Sequence, residues 1–104
     1  MKSAVDVVFR DLDFSATLND TIVRKLEKLN RYTDQILHSR VVLDTPHNHK
    51  QKGKQYRALI ELDIKGCPIA IAQDNESIHV AIRDAFSSAE RKIKEISARQ
   101  RGNH

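Results

Sequence analysis

Between residues 46 and 57 the chain reads PHNHKQKGKQYR, which holds His47, His49, Lys50, Lys52, Lys54 and Arg57 without one acidic residue. Two chemistries are open to such a stretch. The imidazoles of His47 and His49 suit zinc, copper or nickel, provided a third donor converges on them. The four cations offer phosphate a place to land. Neither an HExxH nor a CxxC accompanies the histidines, and two imidazoles in a loop are explained as solvated groups adding partial positive charge. No metal site is expected, and the phosphate reading is kept.

Other reactive side chains lack partners. Cys67 is the single cysteine, so neither an internal disulfide nor a multi-thiolate zinc site can form. It sits between Gly66 and Pro68 with no histidine beside it, the setting of a small hydrophobe rather than a nucleophile. Ser15, Ser87 and Ser88 have no GxSxG context, and the three glycines make neither a GxGxxG nor a phosphate loop. His79, just after Ile78, reads as a packing or capping residue at a helix start. No enzyme activity, cofactor or small-molecule substrate is expected.

Charge distribution says more. Eighteen Lys and Arg against fourteen Asp and Glu give a formal charge of +4, a weak pointer alone because many basic proteins are merely soluble. The cations are clustered, however. RKLEKLNR (24–31) places Arg24, Lys25, Lys28 and Arg31 against Glu27 only, and RKIKEISARQR (91–101) places Arg91, Lys92, Lys94, Arg99 and Arg101 against Glu95 only. Arg83 precedes the second cluster on the same helical run. Aromatics are 5% of the chain and tryptophan is absent, so base stacking on a sheet is not expected. Clustered cations without stacking groups point to recognition of structured RNA by backbone and shape.

The elements that must position these cations follow from periodicity. Val5, Val7 and Phe9 alternate with Asp6, Val8 and Arg10, a strand with one buried face. Thr17 reads as an N-cap with Asp20 as a variant capping box. Leu18, Ile22, Leu26 and Leu29 then mark an amphipathic helix over 18–34, with Arg24, Lys28 and Arg31 opposite the apolar stripe and Lys25 on its flank. SRVVLDT (39–45) is a second strand. Tyr56, Ala58, Ile60, Leu62 and Ile64 alternate through a long third one, Lys65-Gly66 makes a hairpin, and CPIAIAQ (67–73) returns along an edge marked by Pro68. DNES (74–77) supplies caps for a second helix. On it Ile78, Ile82, Ala85, Phe86, Ala89, Ile93 and Ile96 fall within about 100° of one another, and Gly102 can stop it.

The order β-α-β-β-β-α describes one α+β domain over residues 1–104, a four-stranded sheet with two helices packed on one face. No apolar run exceeds four residues, too short to span a bilayer. The N-terminus lacks the apolar core of a signal peptide, so a cytoplasmic location is expected.

KLEKLNRYTDQI (25–36) and SIHVAIRDAFSSAERKIKEI (77–96), in this element order, resemble the hibernation-promoting factor and ribosome-associated inhibitor A family, also labelled sigma-54 modulation protein. The likeness runs over about residues 3–99, and AIRD opening a long basic helix is its most specific part. It implies the β-α-β-β-β-α fold and a stress-response role in translation regulation: binding ribosomal RNA of the small ribosomal subunit in the mRNA and tRNA channel and silencing idle ribosomes. By position it assigns RNA contact to Lys25, Lys28, Arg31 and Arg91, with Lys92 and Lys94 extending that face. Arg24, Arg83 and Arg99 join them as helix cations, and Lys50, Lys52, Lys54 and Arg57 as cations of a basic loop longer than in short members. The chain departs from the family at His79, where tyrosine is common, and at Ser88 and Glu95, where basic residues are frequent. Only SARQRGNH follows the core of the second helix, which matches the tail-less short type.

Rival readings separate by experiment. A general reader of duplex RNA or DNA would prefer free duplex over ribosomal subunits. A small metal enzyme using His47 and His49 would carry stoichiometric zinc. A protein-binding transcription modulator would need an apolar surface pattern that the sequence lacks.

Overall fold

The computed structural model describes residues 4–45 and 55–102, with the side chains of Ala4 and residues 100–102 left aside. His47, His49, Lys50, Lys52 and Lys54 therefore lie outside the described residues. The elements run β1 (Ala4–Phe9), α1 (Ala16–Leu29), β2 (Ile36–Asp44), β3 (Tyr56–Ile64), β4 (Ile69–Asn75) and α2 (Ile78–Gly102). The strands form one sheet in the order β1-β2-β3-β4. β1 pairs with β2 in parallel and the other two pairings are antiparallel. The expected α+β two-layer architecture is the one observed.

Side-chain alternation builds the core. One sheet face presents Val41, Leu43, Ala58, Ile60, Leu62 and Ile64, all nearly solvent-free, with Val7 and Phe9 packed beside them. Both helices close on that face. Helix α1 contributes Ile22, Leu26 and Leu29, and α2 contributes Ile82, Phe86, Ile93 and Ile96 with Ala81, Ala85 and Ala89 between. These three alanines are fully buried, so small side chains set how close α2 lies to the strands.

The boundaries differ from expectation where local chemistry competes. Helix α1 starts at Ala16 and is capped by Ser15, whose hydroxyl accepts from the Leu18 amide at 3.2 Å, so Thr17 is inside the helix. It ends at Leu29, five residues before the expected Asp34, with Asn30 as its C-cap. The chain then tightens, with the Arg31 and Tyr32 amides bonding the carbonyls of Lys28 and Leu29 at 3.1 and 3.0 Å. Strand β2 begins at Ile36, ahead of the expected Ser39. A bulge between Ile36 and His38 breaks the alternation and leaves Leu37 56% exposed, which hides the strand's start from a period-2 reading.

Two other junctions follow the expected chemistry. Gly66 sits at φ +83 in the turn between β3 and β4, a conformation that suits glycine, and the Cys67 amide closes it on the Ile64 carbonyl at 2.7 Å. Ser77 caps α2, its hydroxyl accepting from the Val80 amide at 3.3 Å. β4 is an edge strand with Pro68 just outside it, and Cys67 packs against the core as a part-buried hydrophobe. His79 is exposed on the first turn of α2, so it neither packs nor caps there, Ser77 having taken the capping role.

Candidate nucleic-acid interface

The two faces of the domain treat charge differently. On the sheet face away from the helices, cations stand next to acids. Arg57 donates to Asp74 through Nε at 2.8 Å and through Nη2 at 3.1 Å, which raises its pKa still further. Arg40 lies 3.5 Å from Glu61, Arg10 lies 3.7 Å from Asp44, and His38 lies 3.3 Å from Asp6. A depression of about 330 Å³ on this side is lined by His38, Arg40, Glu61 and Asp63 among others, a mixed-sign wall that gives a phosphate chain no net attraction. Among the described residues, the strand positions on this face carry no aromatic side chain for a base to stack on.

The helix side is arranged otherwise. Where α1 meets α2, Lys25, Lys28, Leu29, Arg83, Phe86, Ser87 and Glu90 line a cleft of about 110 Å³. The positions follow from helix geometry: Lys25 and Lys28 flank the buried Ile22–Leu26–Leu29 stripe on one side, one turn apart, and Arg83 and Ser87 are likewise one turn apart on α2. Arg24, Lys25, Lys28, Arg31 and Arg91 make no ion pair among the described residues, whereas Arg83 pairs with its half-buried chain neighbour Asp84, Nε and Nη2 each lying 3.4 Å from Oδ1.

Among the described residues Glu90 is the one acid lining this cleft, and it is held from two sides. Lys94 Nζ lies 3.0 Å from its carboxylate, Tyr32 donates its hydroxyl at 3.2 Å, and Lys94 stands 5.0 Å from the Tyr32 ring centre. Lys94 holds the Glu90 carboxyl below the usual carboxylate range, against the opposing effect of partial burial, with Tyr32 and Lys28 adding to the depression. The pairing raises Lys94 in turn. The cluster ties the segment that follows α1 to α2. Sequence reading missed both Tyr32 and Glu90. The Glu90–Lys94 spacing is the familiar i,i+4 ion pair, but nothing in the sequence announces a tyrosine 58 residues away.

Glu90→Gln separates these roles. Glutamine still accepts from Tyr32 but removes the negative charge beside Lys25, Lys28 and Arg83, and releases Lys94. RNA binding is expected to tighten about fivefold at neutral pH with a steeper salt dependence, read by filter binding. A carboxyl with a depressed folded pKa stabilises the fold above its unfolded pKa and loses that contribution as pH falls through the folded value. The acid limb of the stability profile below about pH 4 should therefore flatten in Glu90→Gln.

The remaining expected cations divide. Arg91 and Lys92 lie on the other flank of α2, beside β4, where they share a cleft of about 350 Å³ with Ile71, Ser88 and Glu95. Lys92 sits 3.9 Å from Glu95. The two departures at Ser88 and Glu95 thus fall on this flank and leave the α1–α2 cleft untouched. Arg24, Arg31 and Arg99 are exposed. Arg57 does not join the helix cations: it is a β3 residue, and strand alternation with the buried Ala58 turns it to the opposite sheet face, where Asp74 holds it. Among the described residues no group of three metal-ligating side chains occurs, and no helix is long and apolar enough to cross a membrane.

These elements make a two-layer α+β domain whose inter-helix cleft is lined by Lys25, Lys28 and Arg83. Residues 5–101 match the model of the family described as sigma 54 modulation protein / S30EA ribosomal protein, and the chain belongs to that family. It is 27% identical over 90 residues to a ribosome hibernation promotion factor of Deinococcus radiodurans, an alignment covering 86% of this chain and 47% of that protein. The chain therefore spans about half the length of that relative. The crystal structure of the Protein Y N-terminal domain from Thermus thermophilus superposes with a TM-score of 0.77 at 26% identity, covering 91% of this chain and 99% of the other. A ribosomal subunit interface protein from Coxiella burnetii shares the fold, with a TM-score of 0.72 at 14% identity over 91% of this chain and 98% of the other.

Proposed function

We propose that this protein silences idle ribosomes by docking on the small ribosomal subunit, laying the α1–α2 cleft along a ribosomal RNA backbone and occupying the channel of mRNA and tRNA without catalysis. The observation that carries the reading is the placement of Lys25, Lys28 and Arg83 around one cleft, with Lys25 and Lys28 in no ion pair among the described residues and Arg83 paired only to its chain neighbour Asp84, while the cations of the opposite sheet face stand against acids of other residues along the strands. Unpaired cations release counterions when they meet phosphate; paired ones first have to give up a carboxylate. Family membership and the name of the Deinococcus relative support the ribosome as partner. Arg24 and Arg31 widen the contact on the exposed side of α1, and Lys50, Lys52 and Lys54 add phosphate contacts that position without reading bases.

The test is competition between purified small subunits, duplex RNA and duplex DNA for the chain, with a salt titration and a translation assay alongside. Preference for small subunits, inhibited translation, and a log K against log salt slope between about −2 and −4, as three to five neutralised phosphates require, are expected. Preference for free duplex would overturn the reading.

A further inference from the structure

The outer edge of β4 is unusual for an exposed sheet edge. Such edges are normally blunted by a lysine, an internal proline, a bulge or a covering element. Strand β4 runs Ile69-Ala70-Ile71-Ala72-Gln73-Asp74-Asn75 and pairs with β3 in unbroken register from Ile69 to Asn75. Pro68 lies outside it, its only charge is Asp74 near one end, and Ala70 and Ala72 are exposed. Among the described residues no strand pairs with its outer side. The other edge, β1, is guarded by Asp6 in mid-strand, whose side chain is 62% exposed.

We infer that β4 pairs antiparallel with β4 of a second copy, joining two sheets into one of eight strands with the two α2 helices side by side above the seam. The spacing fits. Helix α2 packs over both β3 and β4, and strands stand about 4.8 Å apart. Two helices so placed across a shared edge have axes roughly 10 Å apart, the distance of ordinary helix packing. The flank of α2 that would meet its copy carries the short Ser88, hydrogen-bonded at 3.4 Å to Gln73 of β4, together with Arg91, Lys92 and Glu95. That flank holds both signs, so a two-fold axis sets Glu95 of each copy against the cations of the other. Ile71, which lines the cleft beside it, is covered in the same step. Two-folds through Ile71 or through Ala72 both keep Asp74 away from its counterpart. The inference stands on the edge and this flank and does not depend on the RNA reading, since the α1–α2 cleft lies on the other side of α2 and stays open in each copy.

Sedimentation equilibrium of the full chain over a wide concentration range tests it. The contact is at the small end of specific interfaces, so a reversible dimer with a dissociation constant on the order of tens of micromolar is expected. Ala72→Lys, which adds a charge to the open edge at an exposed site, and Glu95→Lys, which sets like charges across the seam, should each weaken association at least tenfold while circular dichroism shows the fold retained. Mixing Glu95→Lys with Lys92→Glu should restore a heterodimer. A chain that stays monomeric to about millimolar concentration, or a dimer unmoved by both Ala72→Lys and Glu95→Lys, would overturn the inference.

Discussion

Replacing Lys25, Lys28 and Arg83 together by alanine is expected to lower affinity for the small ribosomal subunit by about two to three orders of magnitude and to flatten the salt slope by about two to three units. Deleting a cation that touches phosphate reduces the slope by roughly one unit, and each charge-assisted hydrogen bond to phosphate contributes on the order of 1–2 kcal/mol. The informative control is a second triple, Arg10, Arg40 and Arg57 to alanine, on the opposite sheet face. Both triples take the formal charge from +4 to +1, so long-range attraction falls equally in each. Only the first empties the cleft. The control arginines stand beside Asp44, Glu61 and Asp74, and removing them is expected to change binding less than about threefold, the screened long-range part alone. Equal effects from the two triples would mean that overall charge, rather than the cleft, governs binding. Binding isotherms at several salt concentrations decide between them.

That contrast also marks what the sequence makes legible. Helix α2 could be read directly, because Ile82, Phe86, Ile93 and Ile96 repeat with the helical period and are the residues the sheet covers. The β3–β4 hairpin could be read from Lys65-Gly66, since few residues other than glycine accept that turn. Strand alternation likewise contained the fate of Arg57: a residue that alternates with the buried Ala58 and Ile60 must face away from the helices, although its charge also reads as part of the basic loop. Two features were beyond reach. The bulge at Leu37 shifts alternation by one residue without any glycine or proline to signal it. The split of α2's cations into a flank facing α1 (Arg83, Lys94) and a flank facing β4 (Arg91, Lys92) depends on which side of α2 the first helix lies. Periodicity fixes angles around one axis, not the position of the neighbouring axis. The Tyr32–Glu90 bond belongs to the same class, being a consequence of packing rather than of local spacing.

Ile60→Ala is expected to cost about 3 kcal/mol of stability, within the range of roughly 2–5 for removing a buried branched side chain, because the cavity it leaves cannot collapse easily. Ile60 is fully buried on β3, flanked in register by Val41 on β2 and Ile71 on β4, beneath α2. All three strands are hydrogen-bonded in ladders and hold their positions, so inward relaxation has to come from α2. That movement is limited by Ala81, Ala85 and Ala89, which already bring the helix close to the sheet. For a domain of this size each kcal/mol shifts the melting midpoint by roughly 4–8 °C, so the midpoint of a thermal melt followed by far-ultraviolet circular dichroism should fall by about 12–24 °C. Leu37→Ala removes a comparable side chain at an exposed bulge position and should change stability by less than about 0.5 kcal/mol. Below its lowered midpoint Ile60→Ala keeps every cation of the cleft, so its salt slope for ribosome binding should equal that of the parent chain. A flattened slope in the folded Ile60→Ala protein would instead mean that the sheet's packing sets the α1–α2 spacing, and that the cleft is shaped from below.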